Sequence, residues 1–170
     1  ILRGKSSKVR FLTGADLGPA TQNLIDRFLN PFTDGRRVAY EAVHFETIRK
    51  AGELCYGSSV VPHYHFEKAD TILSLNADFL GTWLSPVEFA RDFATRRKLH
   101  TRNRMSKFIM VESNVSLTGT NADLRLVVKP GEEVLVGLSF AYEWTEEPSL
   151  KNFSIEKVAD LTGLNPKVLL

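Results

Sequence analysis

Short apolar segments of strand type alternate along this chain with longer segments in which apolar residues recur every three or four positions. The clearest strand is Thr71–Leu75, because Ile72, Leu73 and Leu75 make it apolar on both faces. Other strands are predicted at 9–13, 37–43, 108–111 and 124–128. Parallel strands need long crossover connections, so this alternation predicts an α/β fold of three layers. We expect a mainly parallel five-stranded sheet with helices on both faces.

The helices are predicted from apolar spacing and from their start and stop signals. At 85–88, Ser85 is placed to cap a helix, Pro86 suits its first position and Glu88 completes a capping box. Further helices are predicted to begin at Pro19 and to span 44–56, 134–142 and 155–161. The helix at 44–56 is expected to point its apolar residues inward, with Cys55 as a small buried hydrophobe: Phe45, Ile48, Ala51, Leu54 and Cys55.

The chain of 170 residues is predicted to contain one main domain and the start of another. Residues 1–146 form the predicted α/β domain, and 147–170 form a linker and a helix that lead into the next domain of a parent protein. The sequence begins without Met, which favours a segment of a longer chain. No apolar run reaches the roughly 18 residues that a membrane span requires, so no direct span is expected.

Basic residues are concentrated in 91–107, which carries seven basic side chains against one carboxylate. This segment could bind phosphate groups, or it could be a solvated loop that docks on an acidic partner. No aromatic side chain lies between Arg96 and Lys107 for stacking on bases, so the sequence does not favour nucleic acid as a partner.

Two histidines flank Tyr64 and form the one candidate metal pattern of the sequence. On a strand, His63 and His65 would point to the same side and could share a metal ion, with Glu67 as a possible third ligand. The alternative is a pair of surface histidines in a loop that follows Pro62.

Polar and small residues follow the predicted strands, where open parallel sheets bind their ligands. Glycine lets backbone N–H groups approach a phosphate, and a carboxylate can accept hydrogen bonds from guanine or ribose. The alternative is that these are the ordinary polar turns of any parallel sheet, since the chain has no Rossmann, P-loop or nucleophile-elbow motif. The candidate binding residues are Gly14, Asn76, Glu112, Ser113, Gly131 and Glu133.

Four segments in order, 69–78, 110–113, 121–123 and 128–133, carry a family resemblance. They resemble the domain of molybdopterin oxidoreductases of the dimethyl-sulfoxide-reductase type that grips a guanine dinucleotide of the cofactor. Segments 79–90 and 116–123 are similar to a subfamily, the iron–sulfur subunits of alternative complex III. The resemblance implies a part of an oxidoreductase, with iron–sulfur clusters elsewhere in the parent protein. It also implies contacts with other domains and subunits of a membrane-associated redox complex, on the periplasmic side of a bacterial inner membrane.

The chain departs from this family where the family binds its dinucleotide. The segment 75–77 replaces Gly-x-Asn, 112–114 replaces Asp-Pro-Arg, and 132–133 replaces Thr-Asp, while Phe79 and Trp83 are expected at the mouth of the pocket. We therefore expect a structural domain that is poor in cofactor and not catalytic by itself. The alternatives are a true molybdopterin guanine dinucleotide domain of an active oxidoreductase and a binding module that uses the basic loop.

Overall fold

The computed structural model describes residues 8–99 and 104–169. The chain divides into two compact units, Ile1–Pro62 and His63–Leu170, which we call unit 1 and unit 2. Over the described ranges, no helix combines the length and the apolar character that crossing a bilayer requires.

Unit 1 is a parallel β-α-β motif followed by a second helix. Its elements are β1 (Lys8–Thr13), α1 (Pro19–Leu29), β2 (Asp34–Ala39) and α2 (Glu46–Tyr56). The two strands pair in parallel, and α1 provides the crossover by burying Ile25 and Leu29. The end of α1 approaches β2 closely at Gly35, where a Cβ atom would lie 2.8 Å from the Leu29 carbonyl oxygen. A glycine is therefore required at that contact.

The second helix of unit 1 packs differently from the sequence prediction. Its one buried residue among those described is Gly52, where a Cβ atom would lie 2.8 Å from the Val60 carbonyl oxygen. The chain folds back over this glycine, so the helix packs through its smallest residue. Leu54 is 77% exposed and Cys55 is exposed, so the predicted inward face with a buried cysteine is wrong.

Unit 2 contains a three-stranded parallel sheet in the order β3–β4–β5. Its elements are β3 (Thr71–Leu75), α3 (Pro86–Arg96), β4 (Lys107–Glu112), β5 (Leu124–Val127), α4 (Glu133–Thr145), α5 (Ile155–Thr162) and α6 (Pro166–Leu169). The α/β class and the parallel strands are confirmed. The described strands form two sheets, of two and three strands, where the sequence predicted one sheet of five.

Side chains alternate across the sheet of unit 2 and build an apolar core on each face. Phe108 and Met110 of β4 pack in one core, which includes Phe89 of α3. Val111 points to the other face, into a core that includes Val136 of α4 and residues of α5. Helices therefore cover both faces of this sheet.

Two local predictions meet different outcomes in unit 2. Ser85 precedes α3 and Pro86 opens it, but the Ser85 hydroxyl makes no capping hydrogen bond, so the predicted capping box is wrong. The crossover from β4 to β5, between the strands predicted at 108–111 and 124–128, is short and holds a single turn of 3-10 helix at Gly119–Asn121.

Candidate functional site

The carboxyl edge of the unit 2 sheet brings together five of the six predicted binding residues. Asn76 follows β3, and Glu112 and Ser113 lie at the end of β4. Gly131 lies in the turn from β5 to α4, and Glu133 is the first residue of α4. They share one edge because the three strands are parallel. Gly14 follows β1 and belongs to unit 1.

Glu112 is fully buried, and both of its carboxylate oxygens accept hydrogen bonds. Its Oε1 lies 2.5 Å from Nε of Arg125 and 3.3 Å from the Ser116 backbone nitrogen, while Oε2 accepts a 2.6 Å bond from the Ser116 hydroxyl. Burial acts to raise the pKa of Glu112, but the bonds from Arg125 and Ser116 outweigh it and lower the pKa overall. The carboxylate therefore stays charged and is used within the fold.

The short crossover closes directly over this carboxylate. Gly119 lies so near Glu112 that a Cβ atom at position 119 would overlap the carboxylate oxygens. Gly119 itself is buried, and its backbone nitrogen donates a 2.9 Å hydrogen bond to the Ser116 hydroxyl. Glu112 is thus enclosed by its own crossover, which leaves no space beside it for a ligand group.

Asp78 joins the loop after β3 to the loop after β4. Its Oδ1 accepts bonds from the backbone nitrogen and the hydroxyl of Thr118, at 3.1 Å and 2.7 Å. The Thr118 hydroxyl in turn accepts a 2.8 Å bond from the Leu80 backbone nitrogen. Burial acts to raise the pKa of Asp78, but bonds from Thr118 and Thr82 lower it overall. Thr118 was not predicted as a site residue, because it lies 40 residues from Asp78 in the sequence and only the fold brings the two together.

The glycine turn before α4 keeps one unused acceptor. Gly131 adopts φ +91°, and its backbone nitrogen donates a 2.7 Å bond to Oε2 of Glu133. Glu133 is only 6% exposed, and its Oε1 is buried with no hydrogen-bond partner.

Asn76, at the end of β3, has φ +55°, a left-handed conformation that asparagine tolerates better than most residues. Its side chain is exposed.

Phe79 lies in the core of unit 2, and the partly buried Trp83 packs against that core. Phe79 is 1% exposed and stacks on Phe66 with ring centroids 4.4 Å apart. Trp83 packs against Tyr64 and Phe89 at centroid distances of 5.3 Å and 6.2 Å. The prediction that Phe79 flanks a pocket mouth is therefore wrong, because its ring is enclosed on the α3 side of the sheet.

Two arginines of the basic segment serve the fold of unit 2. Arg96 is buried, donates a 3.1 Å bond to the Ala69 carbonyl and pairs with Asp70. Arg97 forms a bidentate salt bridge with Asp123, in which its two terminal nitrogens donate to the two carboxylate oxygens at 2.6 Å and 2.8 Å. These pairs connect the end of α3 to residues that precede β3 and β5. They are therefore not available as phosphate ligands.

A separate cleft of about 700 Å³ lies in unit 1, beyond the carboxyl ends of β1 and β2. Glu41 accepts a 3.3 Å bond from the Ala15 backbone nitrogen, and Arg37 donates to the carbonyls of Gly14 and Ala15. The predicted residue Gly14 is thus fixed beside this cleft. The polar and titratable residues that line it include Asp16, Tyr40, Glu41, His44 and Arg49.

Comparisons with known proteins give no family for this chain. No family model matches it, and no curated protein matches it. The resemblance to molybdopterin oxidoreductases therefore stays a prediction.

Proposed function

We propose that unit 2 is a structural domain, poor in cofactor, of an iron–sulfur redox subunit of the molybdopterin oxidoreductase family. The observation that supports this proposal is the enclosure of Glu112 by Arg125, Ser116 and Gly119. In this proposal the domain keeps the family's sheet, but its carboxyl edge has become an internal hydrogen-bond network.

The residues at this edge do not fit a guanine dinucleotide as a set. A dinucleotide needs unpaired donors and acceptors and enough room for its backbone contacts. Both oxygens of Glu112 are used internally, and Oδ1 of Asp78 is used by Thr118. Opening the edge would break charge-assisted hydrogen bonds worth about 1.5–3 kcal/mol each. The edge therefore offers no complete set of contacts for the cofactor.

The role that remains in this proposal is mechanical. The domain would hold cluster-bearing domains of the parent protein and neighbouring subunits in a membrane-associated complex, on the periplasmic side of a bacterial inner membrane. Electrons would pass through clusters outside this segment, and the segment itself would not be catalytic.

Titration calorimetry with guanosine diphosphate tests the proposal on the 170-residue chain. We expect no binding heat with guanosine diphosphate at up to about 1 mM, a concentration at which only very weak binding, with a dissociation constant above about 1 mM, would escape detection. Saturable binding in the micromolar range would contradict the proposal. Stoichiometric molybdenum or tungsten in the full-length parent protein would contradict it as well.

A second candidate is a true dinucleotide domain, and one observation favours it. Oε1 of Glu133 is a buried acceptor without a partner, as an acceptor kept for a base or a ribose would be. This candidate predicts micromolar binding of guanosine diphosphate that Glu133→Gln weakens at least tenfold. Glu132→Gln is the matched control, since Glu132 is engaged by the Lys129 backbone nitrogen at 3.0 Å.

A further inference from the structure

A pair of histidines lies next to two carboxylates at the start of unit 2. The rings of His63 and His65 have centroids 4.8 Å apart. Nδ1 of His65 is 2.9 Å from Oε1 of Glu67, and Nδ1 of His63 is 3.9 Å from Oε2 of Glu88. The two imidazole side chains are about half exposed, so solvent and ions can reach them.

The contact with Glu67 decides which nitrogen of His65 is free. A carboxylate only accepts hydrogen bonds, so Nδ1 of a neutral His65 must carry the proton that it donates to Glu67. Nε2 then carries the lone pair that can bind a metal ion. A carboxylate that holds the far nitrogen of an imidazole is the usual support of a histidine ligand in metal sites. Glu67 is therefore placed to orient His65.

The spacing of the rings agrees with a shared ion. A metal–nitrogen bond of about 2.0–2.1 Å puts the centre of an imidazole roughly 3 Å from the metal, so two rings at a tetrahedral angle have centroids roughly 5 Å apart. The observed separation is 4.8 Å, and the ring planes are inclined by 77°. The observed centroid separation therefore falls in the range that two imidazole ligands of one ion adopt.

The backbone that carries the histidines rests on a packed aromatic platform. Tyr64, between the two histidines, packs on Trp83 with centroids 5.3 Å apart. The following residue in the core, Phe66, is 8% exposed and stacks on Phe79. His63 also lies 6.2 Å from the ring of Phe89 in α3. A rigid support of this kind lowers the ordering entropy that a ligand must overcome.

We propose that His63 and His65 bind one divalent transition-metal ion, with water in its remaining positions and with Glu67 and Glu88 supporting the imidazoles. Over the described residues, no group of three or more side chains is arranged to hold a metal. The proposed site is accordingly an open one with two protein ligands. Imidazole nitrogen favours Cu²⁺ above Ni²⁺ and Zn²⁺, whereas Mg²⁺ and Ca²⁺ prefer oxygen ligands.

Titration calorimetry of the 170-residue chain with Cu²⁺, Zn²⁺ and Mg²⁺ tests this proposal, with the exposed Cys55 replaced by Ser so that its thiol neither binds nor reduces the metal ions. We expect one site per chain, with Cu²⁺ bound more tightly than Zn²⁺ and no binding of Mg²⁺. His63→Gln and His65→Gln should each weaken Cu²⁺ binding at least tenfold, while His44→Gln in unit 1 should leave it unchanged. Equal affinity in the double variant His63→Gln and His65→Gln, or no Cu²⁺ binding by the unaltered chain, would overturn the proposal.

A spectroscopic measurement locates the ion independently of its affinity. Substoichiometric Cu²⁺ should broaden the amide resonances of 63–67 first, and broadening centred elsewhere would overturn the assignment. Glu67→Gln keeps the size of the side chain but removes its charge, and we expect it to weaken binding about 10–100-fold. Unchanged affinity in Glu67→Gln would show that Glu67 does not orient His65. Circular dichroism of each variant confirms that the fold is intact.

Discussion

Gly119 lies against the buried carboxylate of Glu112, with no room for a Cβ atom between them. We expect Gly119→Ala to lower the free energy of unfolding by about 1–3 kcal/mol, as overpacking of a close contact does. In the Glu112→Ala background the same change should cost much less, because the overlapping carboxylate is gone. Chemical denaturation of the four proteins measures this coupling. An equal cost in both backgrounds would contradict the contact.

The bond between Asp78 and Thr118 should make these two residues energetically coupled. Asp78→Ala and Thr118→Val both remove the hydrogen bond that the Thr118 hydroxyl donates to Asp78, so their effects on the free energy of unfolding should not add fully. A double-mutant cycle should give a coupling of about 0.5–3 kcal/mol. Strict additivity would show that the two loops are held together by other contacts.

Acid should destabilise unit 2 through its carboxylates. The hydrogen bond from Arg97 lowers the pKa of Asp123 and outweighs burial, and hydrogen bonds also lower the pKa values of Asp78 and Glu112. A carboxylate with a lowered folded-state pKa stabilises the fold fully above its unfolded value of about 4 and loses that effect as the pH falls further. The free energy of unfolding should therefore decrease as the pH is lowered past about 4. Asp123→Asn should make that fall shallower, and a slope unchanged by the substitution would refute its contribution.

Cys55 should react rapidly with a thiol reagent in the native chain, because its side chain is exposed on α2. It is the one cysteine of the sequence, so the amount of released chromophore reports this position alone. The reaction rate should be within about tenfold of the rate in denaturant, and Cys55→Ser should abolish it. Protection by several orders of magnitude would instead support the buried position that the sequence predicted.

The basic segment should divide into residues that hold the fold and residues that do not. Arg97→Glu places a carboxylate beside Asp123 and should lower the midpoint of thermal unfolding by several degrees. Arg104→Glu is the matched control, since Arg104 of the same basic segment is exposed, and should change stability by less than about 0.5 kcal/mol. Equal effects of the two substitutions would contradict this division.

Local signals were sufficient to predict much of the fold. The apolar run of Thr71–Leu75 gives β3 with its observed bounds, and Pro19 and Pro86 mark two helix starts correctly. These features depend on neighbours in sequence, which is why a pattern reveals them.

The remaining features depend on contacts between distant residues. Gly52 is buried because the chain returns at Val60, and no apolar spacing within α2 indicates that return. Arg96 and Arg97 appear as free charge in the sequence, while their acceptors at Ala69 and Asp123 lie 27 and 26 residues away. The parallel topology predicted which residues lie at the carboxyl edge of the sheet. It did not predict that Glu112 is engaged there by internal hydrogen bonds.

The crossover from β4 to β5 contains no α-helix. Hydrogen bonds of polar side chains therefore hold it in place, whereas an apolar helical face holds the other crossovers against their sheets. Glu112, Ser116, Thr118 and Gly119 each have a specific partner, and none can be exchanged for a residue of similar hydropathy. In descendants of this chain the helices could drift in sequence while keeping their apolar pattern. The crossover would instead have to keep Ser116, Thr118 and Gly119 themselves, while the exposed Val115 and Leu117 could vary.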